Sequence, residues 1–389
     1  MTENAVDVQP VATPDDLNRF VRFPWRIYAN DPYWVPPIIS QIEKRLDTQR
    51  NPFWEYADRE LFLARRDGEV VGTVAAIVNH QHNQQFGDQT GFFGFFETIN
   101  DEQVAEALIS AAADWLRERG MDLMRGPING APTDEVGVLI AGHDRQPSVW
   151  EGHTPPYYQE LIERLGFRKY DDYFAYELWF KDLDWDLRNL PSKFWRVAEK
   201  VRSKTGVAVR KVDMRQWDSE VAKIHYLYNE AFRTIPGHTD MSLEKFSSMA
   251  ASMRPFLDPD LVVMAEVDGQ PVGFAVALMD VNEALCHFRR GKLYPWDLIR
   301  LKWHMGRIRT ACGKMLGILP EYRARGLEIL LGLEFAQHIL RKGYERIEMS
   351  LLQEKNTMIN RIVQRVGAKP YLHYRVYEKP LQSEERIER

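Results

Sequence analysis

Apolar residues change their period along this chain, and each change marks an element. Residues 61–79 read LFLARRDGEVVGTVAAIVN, two apolar runs joined at Asp67-Gly68. Residues 261–280 read LVVMAEVDGQPVGFAVALMD, with the same arrangement around Asp268-Gly269. An Asp-Gly pair between apolar runs predicts a β-hairpin, because both turn positions tolerate the positive φ that a tight hairpin needs. Each hairpin is followed by another strand-like run, at 92–96 and at 314–319. The period then lengthens. Val104, Leu108, Ala111 and Trp115 share one helical face, as do Leu327, Leu331, Phe335 and Ile339. Asn100, with Gln103 at the capping-box position, is the expected N-cap of the first of these helices. Short strands are expected again near 121–125 and at 346–351.

These parallels amount to a repeat. Asp67-Gly68 and Val71-Gly72 match Asp268-Gly269 and Val272-Gly273 at an offset of 201. The ends of the two halves keep that offset: Gly166, Tyr170, Tyr173 and Tyr176-Glu177 against Gly367, Tyr371, Tyr374 and Tyr377-Glu378. Between them Gly94, Leu108 and Gly120 match Gly317, Leu331 and Gly343 at an offset of 223. The offsets differ by 22 residues, so the second half carries an insertion before its central strand and the first a compensating one after residue 125. Three blocks in one order indicate a duplication. Each half is expected to run helix, hairpin, strand, helix, strand, helix and final strands.

Length and composition agree. A chain of 389 residues fits two domains, drawn at 1–182 and 183–389 with a polar, Pro-containing linker at 181–191. With 44% hydrophobic residues and 11 Trp, each half can bury a core without disulfides, and Cys286 and Cys312 form no framework. The first ten residues are acidic and polar rather than a secretory signal, and no apolar run reaches bilayer length, so a cytoplasmic protein is expected. A net charge of −5 argues against a general nucleic-acid binder. Nucleophile-elbow, Walker-loop and Cys–His signatures are missing from the sequence, which removes support for hydrolase and NTPase readings.

The candidate chemistry begins at 315–331, MLGILPEYRARGLEILL: a strand, then an Arg- and Gly-containing loop that opens a helix. A helix N-terminus offers free N–H groups and partial positive charge. Gly326 permits close backbone approach, and Arg323 and Arg325 add cationic donors, so the segment predicts an anion site. Arg323-Ala324-Arg325-Gly326 resembles the pyrophosphate loop, R-x-x-G-x-G/A, of GNAT acyltransferases. Asn356, eleven residues before Gly367, is similar to the Asn of that family's last helix. Further segments widen the resemblance to nearly the whole chain: NPFWEYA (51–57), GFFGFFE (91–97), RGPIN (125–129), TPPYY (154–158), YNEAF (228–232), DVNEAL (280–285), GKLYP (291–295) and RVGAKPYLHYRVYEK (365–379). Together they are similar to a bacterial two-domain GNAT-like family of largely unassigned function.

That resemblance implies two tandem α/β domains, each a mixed sheet flanked by helices, and an N-acyltransferase that uses acetyl-CoA or a longer acyl-CoA, without a metal. Direct attack of a small-molecule amine on the bound thioester is the implied reaction. Leu316, Gly317 and Ile318 on the central strand, Arg323 to Leu327 in the loop, and Asn356 are the implied cofactor contacts. Two departures stand out. Glu328 occupies the sixth motif position, where a small residue is usual, and Val363 and Ile162 stand where many members carry a Tyr general acid. In the first half Asn100 and Gln103 replace Arg323 and Gly326, among Glu97, Asp101 and Glu102, so that half is not expected to bind CoA. A degenerate scaffold that binds a ligand without catalysis is the alternative.

Glu348, on the strand beside the cofactor loop, is the expected general base, with Glu135 as the alternative. The polar loop 126–158 supplies the substrate candidates Asn129, His153 and Tyr157. His80 and His82 lack companions at metal-ligand spacing and are expected on a hairpin-turn surface. The segment 289–314 has eight Lys or Arg against one Asp. Leu298, Leu301, Met305, Ile308 and Cys312 are read as the packed face of one helix, with Arg300, Lys302, Arg307 and Arg309 mostly off it. Those cations are either solvated or a docking surface for CoA, an acyl-carrier protein or an anionic membrane.

Overall fold

The computed structural model describes residues 5–130, 134–204, 206–233, 240–254 and 257–381. The first half contains β1 (Asp7–Pro10), α1 (Pro14–Arg22), α2 (Pro24–Ile27), α3 (Ile39–Leu46), β2 (Ala57–Arg66), β3 (Glu69–Asn79), α4 (His80–Phe86), β4 (Thr90–Thr98) and α5 (Glu102–Glu118). It ends with β5 (Leu123–Gly126), β6 (Val138–Ala141), α6 (Tyr157–Arg164) and β7 (Arg168–Trp179). The second half opens with α7 (Ser192–Arg202), β8 (Val207–Lys211), α8 (Trp217–Phe232), α9 (Leu243–Met253), β9 (Val262–Val267) and β10 (Gln270–Met279). It continues through α10 (Asn282–Leu285), α11 (Asp297–Met305), β11 (Thr310–Ile318), α12 (Leu327–Arg341), β12 (Arg346–Gln353), α13 (Thr357–Arg365) and β13 (Lys369–Pro380).

Both Asp-Gly hairpins form as read, with Asp67, Gly68, Asp268 and Gly269 all at positive φ. The sheet order is β1-β2-β3-β4-β5-β13-β7-β12-β11-β10-β9-β8, with β6 pairing β13 to one side. One sheet therefore runs through both halves, and the final strands are exchanged. β13, the last strand of the second half, pairs with β5 of the first through Glu378↔Arg125 and Tyr377↔Gly126. β7, the last strand of the first half, pairs with β12 through Glu177↔Glu348 and Trp179↔Arg346. Packing follows the exchange: Tyr377 is buried with Phe93, Leu108 and Leu116 of the first half, whereas Tyr176 and Leu178 pack with Val363 and Ala368 of the second.

Helix α5 covers one face of the first half's sheet, burying Val104, Leu108, Ala112 and Leu116. Its N-cap is Asp101 rather than Asn100: the Asp101 carboxylate accepts from the N–H groups of Gln103 and Val104, and it also receives Arg66 at 2.6 Å. An ionised cap held by an arginine fits the positive end of the helix better than an amide does. The basic segment also differs from its reading. Helix α11 ends at Met305, Ile308 lies in the following turn and Cys312 is already inside β11. Only Leu301 and Met305 of the helix pack against the core, and Leu298 is exposed. His82 is not on a hairpin surface. It is buried in α4 against Phe86 and Phe92, while His80 remains outside beside Asp58.

Candidate active site

Strands β11 and β12 are parallel and paired only from Thr310↔Arg346 to Gly313↔Met349. Beyond Gly313, β11 continues along β10 while β12 continues along β7, so the two part. The gap opens a cavity of about 520 Å³, within the range of ligand-binding pockets. Its wall includes Phe53, Ile77 and Phe92 from the first half and Leu190, Phe335 and Val363 from the second.

The first half has the same divergence, since β4 and β5 pair only from Thr90↔Leu123 to Phe92↔Arg125. There the chain closes its own gap. The Ile128 N–H donates to the Phe93 carbonyl at 2.7 Å, and the Phe95 N–H donates to Asn129 Oδ1 at 2.6 Å. A Cβ on Gly94 would lie 2.2 Å from the Ile128 carbonyl oxygen, so that closure depends on glycine. Asn129, read as a substrate contact, thus fills the place that stays open beside β11.

At the point of divergence in the second half, three ionisable groups meet. Lys314 Nζ lies 3.1 Å from Glu348 Oε2, 3.3 Å from Glu151 Oε1 and 2.6 Å from Ser350 Oγ. Both carboxylates are fully buried, and the lysine side chain is 4% exposed. Glu151 Oε2 also accepts from the Ser148 N–H at 2.9 Å and the Tyr371 hydroxyl at 3.1 Å. Burial opposes ionisation of Glu151, but the Lys314 charge, with hydrogen bonds from Glu348, Ser350 and the Ser148 N–H, outweighs it and holds its pKa below the usual carboxylate value. Glu348 is pushed well above that value, first by burial and then by the charge on Glu151. Burial works against the Lys314 ammonium, yet the two carboxyl groups raise its pKa above that of a free lysine. Of the two carboxyl groups that share the ammonium, Glu151 is therefore the stronger acid and Glu348 the weaker.

Lys314, Glu151 and Ser350 line the cavity, with Glu348 behind them. Sequence reasoning named Glu348 but passed over Glu151 and Lys314. A lysine inside the apolar strand TACGKMLGI was the available signal for one of them. Glu135 instead accepts from Asn129 Nδ2 at 2.8 Å and lies 3.8 Å from Arg45. Its role here is to hold the segment that closes the first half's gap. His153 is buried with Nε2 2.8 Å from Asp31, and the Tyr157 hydroxyl donates to the Thr98 carbonyl at 2.7 Å. None of Asn129, Glu135, His153 and Tyr157 is among the cavity-lining residues.

The anion loop has the expected backbone. Gly326 caps α12 at φ +88 with no side-chain cap, the Ile329 N–H turning back to the Gly326 carbonyl at 3.1 Å, and a Cβ there would lie 2.6 Å from Val197. Arg325 is exposed, with Ala324 beside it at φ +57. Arg323 is turned inward and donates to the carbonyls of Ile318 and Ala231. Leu316 and Asn356 line the cavity; Gly317, Ile318 and Leu327 are buried in the core. Glu328 also lines the cavity, and its Oε2 has no hydrogen-bond partner among the described residues. An uncapped helix start beside an exposed arginine and an open strand edge fits the phosphates and pantetheine arm of a CoA thioester.

A tandem pair of GNAT-type units with a slot in the second is the class this architecture defines. Solved structures agree on the fold. A tandem GNAT protein from the clavulanic acid biosynthesis pathway superposes with a TM-score of 0.57 at 13% identity, covering 97% of this chain and 99% of that one. A GCN5-related N-acetyltransferase from Sphaerobacter thermophilus gives 0.52 at 13% identity, covering 97% and 96%. No protein-family model matches the sequence. Among curated proteins, the bacterial ceramide synthase of Caulobacter vibrioides is 33% identical over 387 residues, 98% of this chain and 99% of that protein. Protein YghO of Escherichia coli is 29% identical over 380 residues, 96% and 95% of the two chains. The chain belongs to the family of the bacterial ceramide synthase.

Proposed function

We propose that this protein is an N-acyltransferase that moves a fatty acyl group from acyl-CoA to the amine of a long-chain base, forming an amide-linked lipid of the ceramide type. The observation that carries the reading is the cavity. Apolar side chains from both halves line it, and the ionised Glu151 sits in its wall beside the parted strands. A cavity walled by apolar side chains from both halves, with a polar cluster in its wall, suits hydrocarbon chains that meet at a polar junction, and the name of the full-length Caulobacter relative describes such a product.

In this reading the acyl-CoA phosphates rest on the start of α12 with Arg325, and the pantetheine arm runs along the open edge of β11. The amine nitrogen attacks the thioester carbonyl carbon, the N–C bond forms and the C–S bond breaks. Glu151 receives the proton that the nitrogen loses. The sulfur leaves as a thiolate with an ordinary thiol pKa of about 8.5 and takes up the proton. N–H groups of β11 stabilise the carbonyl oxygen as negative charge gathers on it. Lys314 already donates to three acceptors, so its part is positional: it keeps Glu151 ionised in a buried site.

The test is product analysis by mass spectrometry, with purified protein, acyl-CoA donors from acetyl to long-chain, and amines from short and hydrophilic to long-chain amino alcohols. Amide should form with long-chain partners on both sides. Tight acyl-CoA binding with no amine acylated would favour the non-catalytic alternative, and acylation of short hydrophilic amines alone would remove the lipid assignment.

A further inference from the structure

Helix α11 and its N-cap, Trp296, carry four large apolar residues on the outside. Ile299 is 78% exposed, Trp296 66%, Leu298 57% and Trp303 55%, and the neighbouring Tyr294 stacks on Trp296 with ring centroids 4.9 Å apart. Trp296, Ile299 and Trp303 are three and four residues apart, so they form one stripe along the helix. The inward side is taken by Asp297, Leu301 and Met305. Contiguous exposed apolar surface of this kind marks an interaction site rather than chance exposure of single residues.

The surrounding charge says what kind. Arg300 and Lys302 follow Ile299 on the helix, Arg307 lies over the Trp303 ring at 3.3 Å, and Arg290 and Lys292 precede it, all exposed. Among the described residues Arg290, Lys292, Lys302 and Arg307 form no ion pair, while Arg309 is drawn off to Glu345 at 3.6 Å. The segment's single acidic residue, Asp297, is buried, accepts from the Tyr294 N–H and lies 4.0 Å from Arg300, so it offsets that one cation and leaves the other four. This concentration of cations lies on a chain whose net charge is −5.

We propose that α11 and the turns beside it dock the protein on an anionic phospholipid bilayer, with Trp296, Ile299 and Trp303 entering the interface and the cations resting on headgroup phosphates. Tryptophan with aliphatic residues on one face and Lys or Arg around it is the pattern of helices that lie in the membrane interface. No helix among the described residues is long and apolar enough to cross a bilayer, so the contact is peripheral. An acidic carrier protein would pair with the cations but leaves the exposed Ile299 and two tryptophans without a counterpart, which is why the bilayer is favoured. The patch leads directly into the start of β11, at the opposite end of that strand from the anion loop. A bilayer could then face one end of the strand and the aqueous CoA the other. The docking surface itself stands on α11 and does not depend on the acyl-transfer reading.

The experiment is co-sedimentation of the full chain with vesicles of phosphatidylcholine alone and with about one third phosphatidylglycerol, with tryptophan emission as a second readout. Two variants are compared: Trp296→Ser with Ile299→Ser and Trp303→Ser, and Arg290→Gln with Lys292→Gln, Lys302→Gln and Arg307→Gln. All seven positions are exposed, so both variants should melt like the parent protein. The parent should sediment with the anionic vesicles, with blue-shifted emission. The apolar variant should lose binding at every salt concentration. The charge variant should lose about fivefold per cation at low salt and differ less at high salt. Binding that survives both variants, equal binding to both vesicle types, or a parent that ignores vesicles but self-associates or holds an acyl-carrier protein through this patch would overturn the proposal.

Discussion

Lys314 and Glu348 stand on adjacent parallel strands at the place where those strands part, with Nζ 3.1 Å from Oε2 and both side chains out of water. A buried charge costs several kcal/mol unless it is paired, and removing one partner leaves that cost on the other. Lys314→Met should therefore destabilise the protein by about 3–5 kcal/mol in denaturant unfolding, because the buried Glu151 carboxylate loses its cation. The double variant Lys314→Met with Glu151→Gln, which removes the stranded charge, should recover part of that loss. If the two single effects simply add, the residues are not coupled and the cluster is misdescribed.

Glu151 and Glu348 should separate in kinetics. Glu151 lines the cavity and is ionised, so Glu151→Gln should lower turnover about 100-fold or more while acyl-CoA affinity stays nearly unchanged. Glu348 lies behind it with its pKa raised by burial and by Glu151, so Glu348→Gln keeps the shape, disturbs the charge least and should cost far less. The reverse order would return the base to Glu348. Single-turnover assays with saturating acyl-CoA distinguish the two.

Arg323 and Arg325 make a second pair with opposite expectations. Because Arg323 ties the carbonyls of Ile318 and Ala231, Arg323→Ala should lower thermal stability, leaving buried acceptors at a cost of about 1–3 kcal/mol. Arg325 faces solvent beside the uncapped start of α12, and Arg325→Ala should weaken CoA binding in calorimetry with little change in melting temperature. Equal losses of CoA affinity from both would mean that Arg323 turns outward when the ligand arrives.

The duplication was readable because Asp-Gly turns and the tyrosine-rich final strands recur at fixed offsets. The exchange of those strands was not, and the reason is physical. Tyr173, Tyr176 and Glu177 repeat as Tyr374, Tyr377 and Glu378, so either strand offers either sheet the same alternation of buried and polar positions. A pattern that satisfies both pairings cannot choose between them. Lys314 was hidden differently: its sequence neighbours include surface cations, and its partner Glu151 lies 163 positions away. On α11 the face read as packed does turn inward at Leu301 and Met305, with Leu298 the exception, but the exposed stripe of Trp296, Ile299 and Trp303 was not read, since periodicity finds one apolar face without saying what covers a second.

Glu97 offers a test of the first half by pH. Its carboxyl, hydrogen-bonded by the hydroxyls of Tyr158 at 2.7 Å and Tyr28 at 3.0 Å, is pushed up to about 8, chiefly by burial. A carboxyl with a raised folded-state pKa contributes stability that is present below its unfolded pKa and lost as pH rises through the folded one. The window here runs from the ordinary glutamate value, about 4.3, up to about 8. Glu97→Gln cannot ionise, so its melting temperature should gain on that of the parent protein across this window and then run parallel to it. A constant difference from acid to alkaline pH would show that Glu97 titrates normally.

The exchanged strands make the two halves dependent on each other. Cutting the chain between 182 and 183 removes no strand from the sheet, but each piece expressed alone lacks the strand its sheet uses. The first piece loses Tyr377 from its core, as well as the Tyr371 and Tyr374 hydroxyls that bind Glu151 and the Gly152 carbonyl. It also loses the partner of β6, which pairs β13 through Leu139↔Tyr374 and Val138↔Arg375. The second piece loses Tyr176 and Leu178 against Val363 and Ala368. Each is then left with an unpaired strand edge beside an incomplete core, a state that aggregates or pairs with a second copy of itself. Expressed separately, residues 1–182 and 183–389 should therefore be insoluble or self-associated in size-exclusion chromatography with light scattering. Expressed together, they should elute as a one-to-one complex. If 1–182 alone were a folded monomer melting near the temperature of the whole chain, β7 must have taken the place of β13 beside β5. The two final strands would then be interchangeable, and the exchange would contribute nothing to the stability of either half.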